Sequence, residues 1–301
     1  MRAEQGRNGR KKIEANMLRI LRLMFAVISC GAPLLAQQSQ NPSPMVEHTR
    51  AHPRLTQETP AGRREKLELG TLFLPEKLKR QTSTPLFIHF HGGTWLPEVA
   101  AARLGNTAVI SVQIGSGSGA YAKPFGDPQL FARLLQEAET KAGGKFAPVT
   151  LTAWSAGYGA VREILKVPDH YARIARVLLI DGLHAGYIGD KPGPQESQLE
   201  TENLSIFLQF ARDAVAGRKQ LIITHSEIFP GTFASTTETA DWLLAQLGLK
   251  RQPVLKWGPQ GTQQLSETRA GKFLLIGYAG NSAPDHVDQL HSLPVYLRWF
   301  K

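Results

Sequence analysis

Short, continuous apolar runs separated by longer amphipathic segments make up most of the chain. The runs are rich in Val, Ile, Leu and Phe, which is typical of strands buried on both faces of a parallel sheet. The predicted strands cover residues 67–74, 85–90, 107–114, 149–153, 177–180, 221–224 and 273–276. Apolar residues at helical spacing predict helices over residues 127–142, 157–166, 197–216, 236–248 and 286–299. These repeated strand–helix units predict an α/β fold in which helices cover both faces of a mainly parallel sheet.

One composition extends through residues 63–301 without an internal repeat, and it predicts a single domain. Residues 182–198 are rich in Gly and Pro, so we expect them to form a mobile flap over a pocket. The chain is 42 % apolar and 20 % charged, which is the composition of a globular protein rather than a disordered one. A domain of this length needs neither a disulfide nor a metal to be stable.

The amino-terminal 62 residues follow a different pattern. A basic start, an apolar stretch and a small residue before a polar run predict a secretory signal in residues 1–36, with translation starting at Met17 and cleavage after Ala36. Gly31 and Pro33 interrupt the apolar stretch, so it is too short to span a membrane. The sequence around Cys30 resembles a bacterial lipobox, which leaves a lipid anchor as the alternative.

Residues 37–62 are polar and rich in proline, which predicts a disordered linker between the signal and the domain. We therefore expect a secreted or periplasmic protein, or a lipoprotein in the alternative case. After cleavage at the favoured site the exported chain has no cysteine, which suits an oxidising compartment.

Charge and cysteine content exclude several functions. Half of the formal net charge of +10 lies in the first 62 residues, and the domain has no long basic run, so we expect no nucleic-acid partner. The single cysteine excludes a disulfide framework and a thiolate metal cluster. No metal-binding motif is present, and we expect neither a metal nor another cofactor.

The pentapeptide Ala153-Trp154-Ser155-Ala156-Gly157 lies between a predicted strand and a predicted helix. A nucleophile on a tight strand-to-helix turn needs small residues two positions before and after it, because larger side chains would collide. Ala153 and Gly157 meet that need, and Ser155 is the candidate nucleophile. An ordinary serine at the start of a helix is the alternative interpretation.

An earlier predicted strand ends at His91-Gly92-Gly93-Thr94. Glycine lets backbone N–H groups approach a carbonyl oxygen without interference from a Cβ atom. We expect the amides of Gly92, Gly93 and Thr94, together with that of Ala156, to form an oxyanion hole.

The candidate base and acid follow later strands. His286 lies after the last strand and is favoured as the general base over His291, which lies further along the final helix. Asp181 and Glu227 each end a predicted strand, and either carboxylate could orient the imidazole. Asp181 is favoured because it directly follows its apolar strand, and Glu227 remains the alternative.

From residue 66 to residue 301 the chain resembles α/β-hydrolases of the serine esterase kind. The resemblance rests on the HGG motif, the turn at Ser155, and the order serine, acid, histidine along the chain. It implies a mainly parallel sheet of about eight strands and hydrolysis through an acyl-enzyme. In this superfamily the acid usually follows the strand that ends near Glu227, with the Asp181 position as a variant.

These features together predict a serine hydrolase that cleaves a small-molecule carboxylic ester. Trp95 and Trp154 adjoin the candidate catalytic elements, so we expect them to line the substrate pocket. A serine peptidase or amidase could use the same three residues, and a non-catalytic binding protein could retain the same fold.

Overall fold

The computed structural model describes residues 52–79, 82–189 and 198–300. The predicted signal segment with Met17, Cys30 and Ala36, most of the predicted linker, and residues 190–197 of the predicted flap lie outside the described residues. No helix in the described part of the chain combines the length and apolar character needed to cross a membrane.

Ten strands form one sheet in the order β1-β2-β4-β3-β5-β6-β9-β12-β11-β10, and β7 pairs with β8 separately. The strands are β1 Gly62–Lys66, β2 Thr71–Pro75, β3 Ser83–Phe90, β4 Ala108–Val112, β5 Lys145–Trp154, β6 Ile174–Ile180, β7 Tyr187–Ile188, β8 Gln198–Leu199, β9 Gln220–His225, β10 Gln252–Trp257, β11 Gln263–Ala270 and β12 Phe273–Tyr278. The strands from β4 to β12 in that order are all parallel, and the strands outside them pair antiparallel. The predicted α/β fold with a mainly parallel sheet is therefore confirmed.

The prediction of about eight strands was wrong, because β10 and β11 extend the sheet as a polar antiparallel pair. Neither strand has a continuous apolar run, and nearly every residue of β10 is exposed. The predicted opening strand over residues 67–74 also differs from the structure. Residues 67–70 form the turn of a hairpin between β1 and β2, so only the part from Thr71 onward is in a strand.

Nine α-helices lie among the described residues, and together they cover both faces of the sheet. They are α1 Trp95–Leu104, α2 Ser118–Phe125, α3 Leu130–Ala142, α4 Tyr158–Lys166, α5 Pro168–Arg173, α6 Ser205–Val215, α7 Thr236–Leu247, α8 Ala283–His291 and α9 Leu293–Leu297. The predicted helix over residues 197–216 begins only at Ser205, after β8 and a short 3₁₀ turn. The predicted final helix is divided into α8 and α9 at Ser292, where the next helix begins with Leu293-Pro294.

Two buried clusters divide the core between the faces of the sheet. The larger cluster packs α2, α3, α4, α6 and α7 on one face, and the smaller packs α1, α8 and α9 on the other. The central strands are buried on both faces, as their continuous apolar runs predict. The carboxyl ends of these parallel strands meet at one edge, which is where such sheets bind their ligands.

The end of the predicted linker lies against the domain. His52 Nδ1 is 2.5 Å from Asp288 Oδ2, and Arg54 Nε donates to Asp288 Oδ1 at 2.8 Å. Because the Asp288 side chain is fully buried, the cationic Arg54 reduces the cost of burying its charge. These contacts attach residues 52–54, at the end of the predicted linker, to α8.

Candidate active site

Ser155 lies on a sharp turn between β5 and α4. Its φ angle is 48°, a left-handed conformation that a non-glycine residue adopts rarely and at some energetic cost. A Cβ atom at Gly157 would lie 2.2 Å from the carbonyl oxygen of Phe90 at the end of β3, so only glycine fits there. The N-cap position of the turn is occupied by Trp154, and the Ser155 hydroxyl has no hydrogen-bond partner among the described residues, which argues against an ordinary capping serine. The turn instead presents the hydroxyl at the carboxyl edge of the sheet.

Asp181 follows β6 directly and is buried. Its Oδ2 atom accepts a hydrogen bond from His286 Nδ1 at 2.7 Å, and Ser226 donates to the same carboxylate from its backbone N–H at 2.8 Å and from its hydroxyl at 2.7 Å. The Thr236 hydroxyl donates to Oδ1 at 2.7 Å. The carboxylate therefore has a fixed orientation toward His286.

Burial alone would raise the pKa of Asp181, but the hydrogen bonds from His286 and Ser226 outweigh it. They hold the pKa of this carboxyl well below its usual range. An ionised carboxylate only accepts hydrogen bonds, so the Nδ1 atom of His286 must carry the proton. The Nε2 atom of His286 is then free to act as a base.

Glu227, the alternative acid, has a different environment. Its side chain is exposed, and its backbone N–H donates to Gly280 O at 2.9 Å. Among the described residues its carboxylate has no hydrogen-bond partner, whereas Asp181 contacts His286 directly. The geometry thus brings the favoured acid to the imidazole and leaves Glu227 apart from it.

Trp154 lies between two histidines. Its ring centroid is 5.0 Å from that of His91, with the rings nearly parallel, and 4.6 Å from that of His286. Its Nε1–H donates to the backbone carbonyl of His286 at 3.1 Å. The residue before the candidate nucleophile therefore contacts both the backbone and the ring of the candidate base, a role that no sequence pattern predicts.

His291 lies away from Ser155. Its Nδ1 atom accepts a hydrogen bond from Leu55 N at 3.1 Å, and its ring contacts the edge of Trp95. The structure thus pairs His291 with the segment before β1, while His286 pairs with Asp181.

The HGG loop is only partly available as an oxyanion hole. The amide of Gly92 donates to Gln113 Oε1 at 2.7 Å, so it is already occupied. The amides of Gly93 and Thr94 donate to no group in the described chain. The amide of Ala156 lies in the first turn after β5, where N–H groups lack partners within the helix. Gly92 is a poor donor in this arrangement because of Gln113, a residue that sequence analysis missed.

A cavity of about 430 Å³ opens beside Ser155 and Ala156. It is lined by Ser116, Gly117, Ser118, Ser155, Ala156, Tyr158, His184, Ala185, Gly186 and Phe233. Trp95 and Trp154, predicted to line the pocket, do not line this cavity. Both pack with the smaller core cluster, while Ala156, Tyr158 and Ala185 belong to the larger cluster on the opposite face of the sheet.

Ser155 and His286 are not hydrogen-bonded to each other in the described structure. The hydrogen bond between a nucleophile and its base is often long before substrate binds, so its absence here is compatible with Ser155 and His286 acting together. The turn of Ser155 and the residues after β6 lie in close contact. A Cβ atom at Gly182, next to Asp181, would lie 2.8 Å from the Ser155 carbonyl oxygen. The site thus combines a hydroxyl, an oriented imidazole and free amides beside a cavity.

One group of potential metal ligands exists among the described residues, formed by His52, Asp285 and Asp288. Arg54 already neutralises Asp288, and Asp285 accepts hydrogen bonds from the backbone and hydroxyl of Ser282 at the start of α8. These contacts explain why the three side chains lie together, since they hold the segment before β1 against α8.

No family model matches the chain, and no curated protein matches its sequence. Several solved structures align with it. An α/β hydrolase enzyme from the metagenome of Lake Arreo, Spain, is 13 % identical with a TM-score of 0.46, and the alignment covers 93 % of this chain and 97 % of that one. A cold-adapted esterase from an Arctic intertidal metagenomic library is 14 % identical with a TM-score of 0.44, covering 80 % and 93 %.

The acylaminoacyl peptidase of Pyrococcus horikoshii is 15 % identical with a TM-score of 0.48, and the alignment covers 81 % of this chain and 42 % of the peptidase. None of these three structures reaches a TM-score of 0.5. The fold itself is read from the strand order of the sheet and from the strand–turn–helix at Ser155. These features give the chain the α/β-hydrolase fold, with its sheet extended to ten strands.

Proposed function

We propose that this protein is a serine hydrolase that cleaves carboxylic esters through an acyl-enzyme. The observation that carries the proposal is the 2.7 Å hydrogen bond between His286 Nδ1 and the buried Asp181, formed at the same sheet edge as the strained turn of Ser155. A buried, ionised carboxylate that fixes the tautomer of a histidine is the arrangement that activates a serine hydroxyl.

In the proposed reaction, His286 Nε2 accepts the proton of the Ser155 hydroxyl as Oγ attacks the ester carbonyl. The resulting oxyanion is stabilised by the amide of Ala156 and by the free amides of Gly93 and Thr94. His286 then gives its proton to the leaving alcohol. A water molecule activated by the same imidazole attacks the acyl-enzyme and releases the acid.

Asp181 remains ionised throughout and stabilises the imidazolium that forms in each half of the reaction. The two hydrogen bonds from Ser226 and the one from Thr236 keep the carboxylate in place while His286 changes charge. Because these donors surround a buried group, the charge needs no reorganisation of water during the reaction.

A fluorophosphonate probe tests this proposal. The wild-type protein should be labelled on Ser155 and should hydrolyse simple esters, while Ser155→Ala should lose labelling and at least about 10³-fold in turnover because no acyl-enzyme forms. Ser116→Ala, at the same cavity, is the matched control and should still be labelled. Absence of labelling in the wild type would favour a non-catalytic binding protein, and faster cleavage of peptide amides than of esters would favour a peptidase.

We also propose that the protein is exported, on the basis of the signal-like segment that ends at Ala36. Intact-mass measurement of the mature protein should find a chain beginning at Gln37, or a lipidated chain beginning at Cys30. Mature protein that retains Met17 would contradict both forms of this proposal.

A further inference from the structure

The cavity beside Ser155 has no ionised lining residue. Its walls are formed by small residues, by three serines including Ser155, and by three rings, those of Tyr158, His184 and Phe233. Burial lowers the pKa of His184 to about 4, so this imidazole is neutral at neutral pH. The carboxylate of Glu200 lies beside the lining residue Gly186, where an added Cβ atom would be 2.8 Å from Glu200 Oε2. An anionic ligand would therefore lose its hydration and meet a negative charge.

The three rings form one aromatic cluster. The His184 and Phe233 rings meet edge to face with centroids 5.2 Å apart, and the Tyr158 and His184 rings are 5.6 Å apart. Phe233 lines the cavity and is also 40 % exposed. The other lining residues are small, such as Gly117 and Ala185, so the three rings are the largest side chains of the cavity wall.

The position of the cavity relative to His286 identifies which part of an ester would occupy it. The leaving alcohol must receive its proton from the imidazole, so it has to lie on the His286 side of Ser155. His286 does not line the cavity, whereas Ser155 and Ala156 do. The cavity is therefore on the acyl side of the bond that would be cleaved.

We propose that this cavity is the acyl-binding site for uncharged acyl groups that carry an aromatic ring, held by the cluster of Tyr158, His184 and Phe233. The inference rests on the proposed function for the identity of the bond that is cleaved. It adds the substrate class. Edge-to-face contacts give an aromatic ring an advantage over a saturated ring of equal size, and the cavity volume of about 430 Å³ accommodates one.

The test compares methyl phenylacetate, methyl cyclohexylacetate and the monomethyl ester of succinic acid. The first two have similar size and intrinsic ester reactivity, but only one has a π face, and the third is anionic. We expect kcat/KM for methyl phenylacetate to exceed that for methyl cyclohexylacetate by about threefold to tenfold. For the anionic monomethyl ester of succinic acid, kcat/KM should be about a hundredfold lower than for methyl phenylacetate.

Phe233→Leu should reduce the ratio of kcat/KM for methyl phenylacetate to kcat/KM for methyl cyclohexylacetate to near one. Phe229→Leu is the matched control, since Phe229 is 58 % exposed in the same loop and does not line the cavity, and it should leave the ratio unchanged. A wild-type ratio of one or less, or a ratio unaffected by Phe233→Leu, would overturn the proposal while leaving esterase activity established.

A second measurement does not depend on catalysis. Calorimetric titration of Ser155→Ala with the same two neutral esters should give a Kd for methyl phenylacetate that is about threefold to tenfold lower than that for methyl cyclohexylacetate. Binding of neither ester, or equal binding of both, would overturn the assignment of the cavity. The proposed function fails separately, when the wild-type protein shows neither probe labelling nor ester hydrolysis.

Discussion

The two sides of Ser155 differ in almost every physical property. On one side, Asp181, His286, Trp154 and His91 form a continuous chain of hydrogen bonds and stacked rings. On the other side lies a cavity whose lining consists of small residues and neutral rings. The first side holds a charge in a fixed position, and the second excludes charge.

This difference separates reaction from recognition. The groups on the His286 side are each fixed by at least one neighbour, which is the requirement for transferring a proton without reorganising the site. The groups on the cavity side make few directional contacts, so that side can discriminate only by size, charge and the shape of a ring. Substitutions on the first side should therefore change kcat, and substitutions on the second should change the choice of substrate.

The largest effect is expected from the acid. Asp181→Asn keeps the shape of the side chain but removes the charge and permits the wrong tautomer of His286, so kcat should fall by about 10³- to 10⁴-fold. Glu227→Gln is the matched control and should change kcat by less than about threefold, because Glu227 is exposed and its carboxylate has no hydrogen-bond or ion-pair partner among the described residues. Steady-state kinetics on one ester measures both variants. The reverse ranking would assign the acid to Glu227.

A smaller effect is expected from Trp154. Trp154→Leu removes the ring that lies against His286 and the hydrogen bond to its carbonyl, so kcat should fall by about tenfold to a hundredfold with little change in KM. Trp154→Phe keeps a π face and should recover part of the loss.

The same kinetic assay, with thermal unfolding as a check on folding, separates these outcomes. Trp257→Leu serves as the control, since that tryptophan is 73 % exposed and distant in sequence from the site. An increase in KM with unchanged kcat would show instead that Trp154 contacts the substrate, as the sequence first suggested.

The smallest effect is expected on the cavity side as pH is lowered. Because burial lowers the pKa of His184 to about 4, this imidazole stays uncharged as the pH falls from 8 to 5. The Kd of methyl phenylacetate for Ser155→Ala should thus change by less than about twofold between pH 8 and pH 5. It should rise only below about pH 4, as the imidazole gains a proton. A tenfold rise between pH 7 and pH 5 would show that a lining group titrates in that range.

Sequence patterns predicted the centre of the fold more accurately than its edges. Strands such as β4 and β6 are continuous apolar runs, and burial on both faces makes their pattern unambiguous. The strands β10 and β11 were missed because a polar antiparallel pair is stabilised by its neighbours rather than by apolar residues of its own. The division of the last helix at Ser292 and the turn between β1 and β2 were missed for a similar reason, since local sequence specifies element boundaries weakly.

Candidate residues at the ends of strands were predictable, because parallel strands bring their carboxyl ends to one edge. Ser155, Asp181 and His286 could be named in this way, and their catalytic roles remain predictions. The occupied amide of Gly92 could not be predicted, since Gln113 reaches it from the neighbouring strand β4 across 21 positions of sequence. The position of Trp154 was also missed, because its sequence neighbours do not show which face of the sheet its ring packs against.

The sequence by itself determined the α/β class, the tight turn at Ser155 and the small residues that this turn requires. These depend on periodicity and on local steric limits, which a single chain segment carries. Only the tertiary structure decided which carboxylate meets His286, which amides stay free and which rings border the cavity. Each of these depends on contacts between residues far apart in the chain, such as Asp181 and His286 at a separation of 105 positions. Such contacts are set by the packing of whole strands and helices, which no local pattern records.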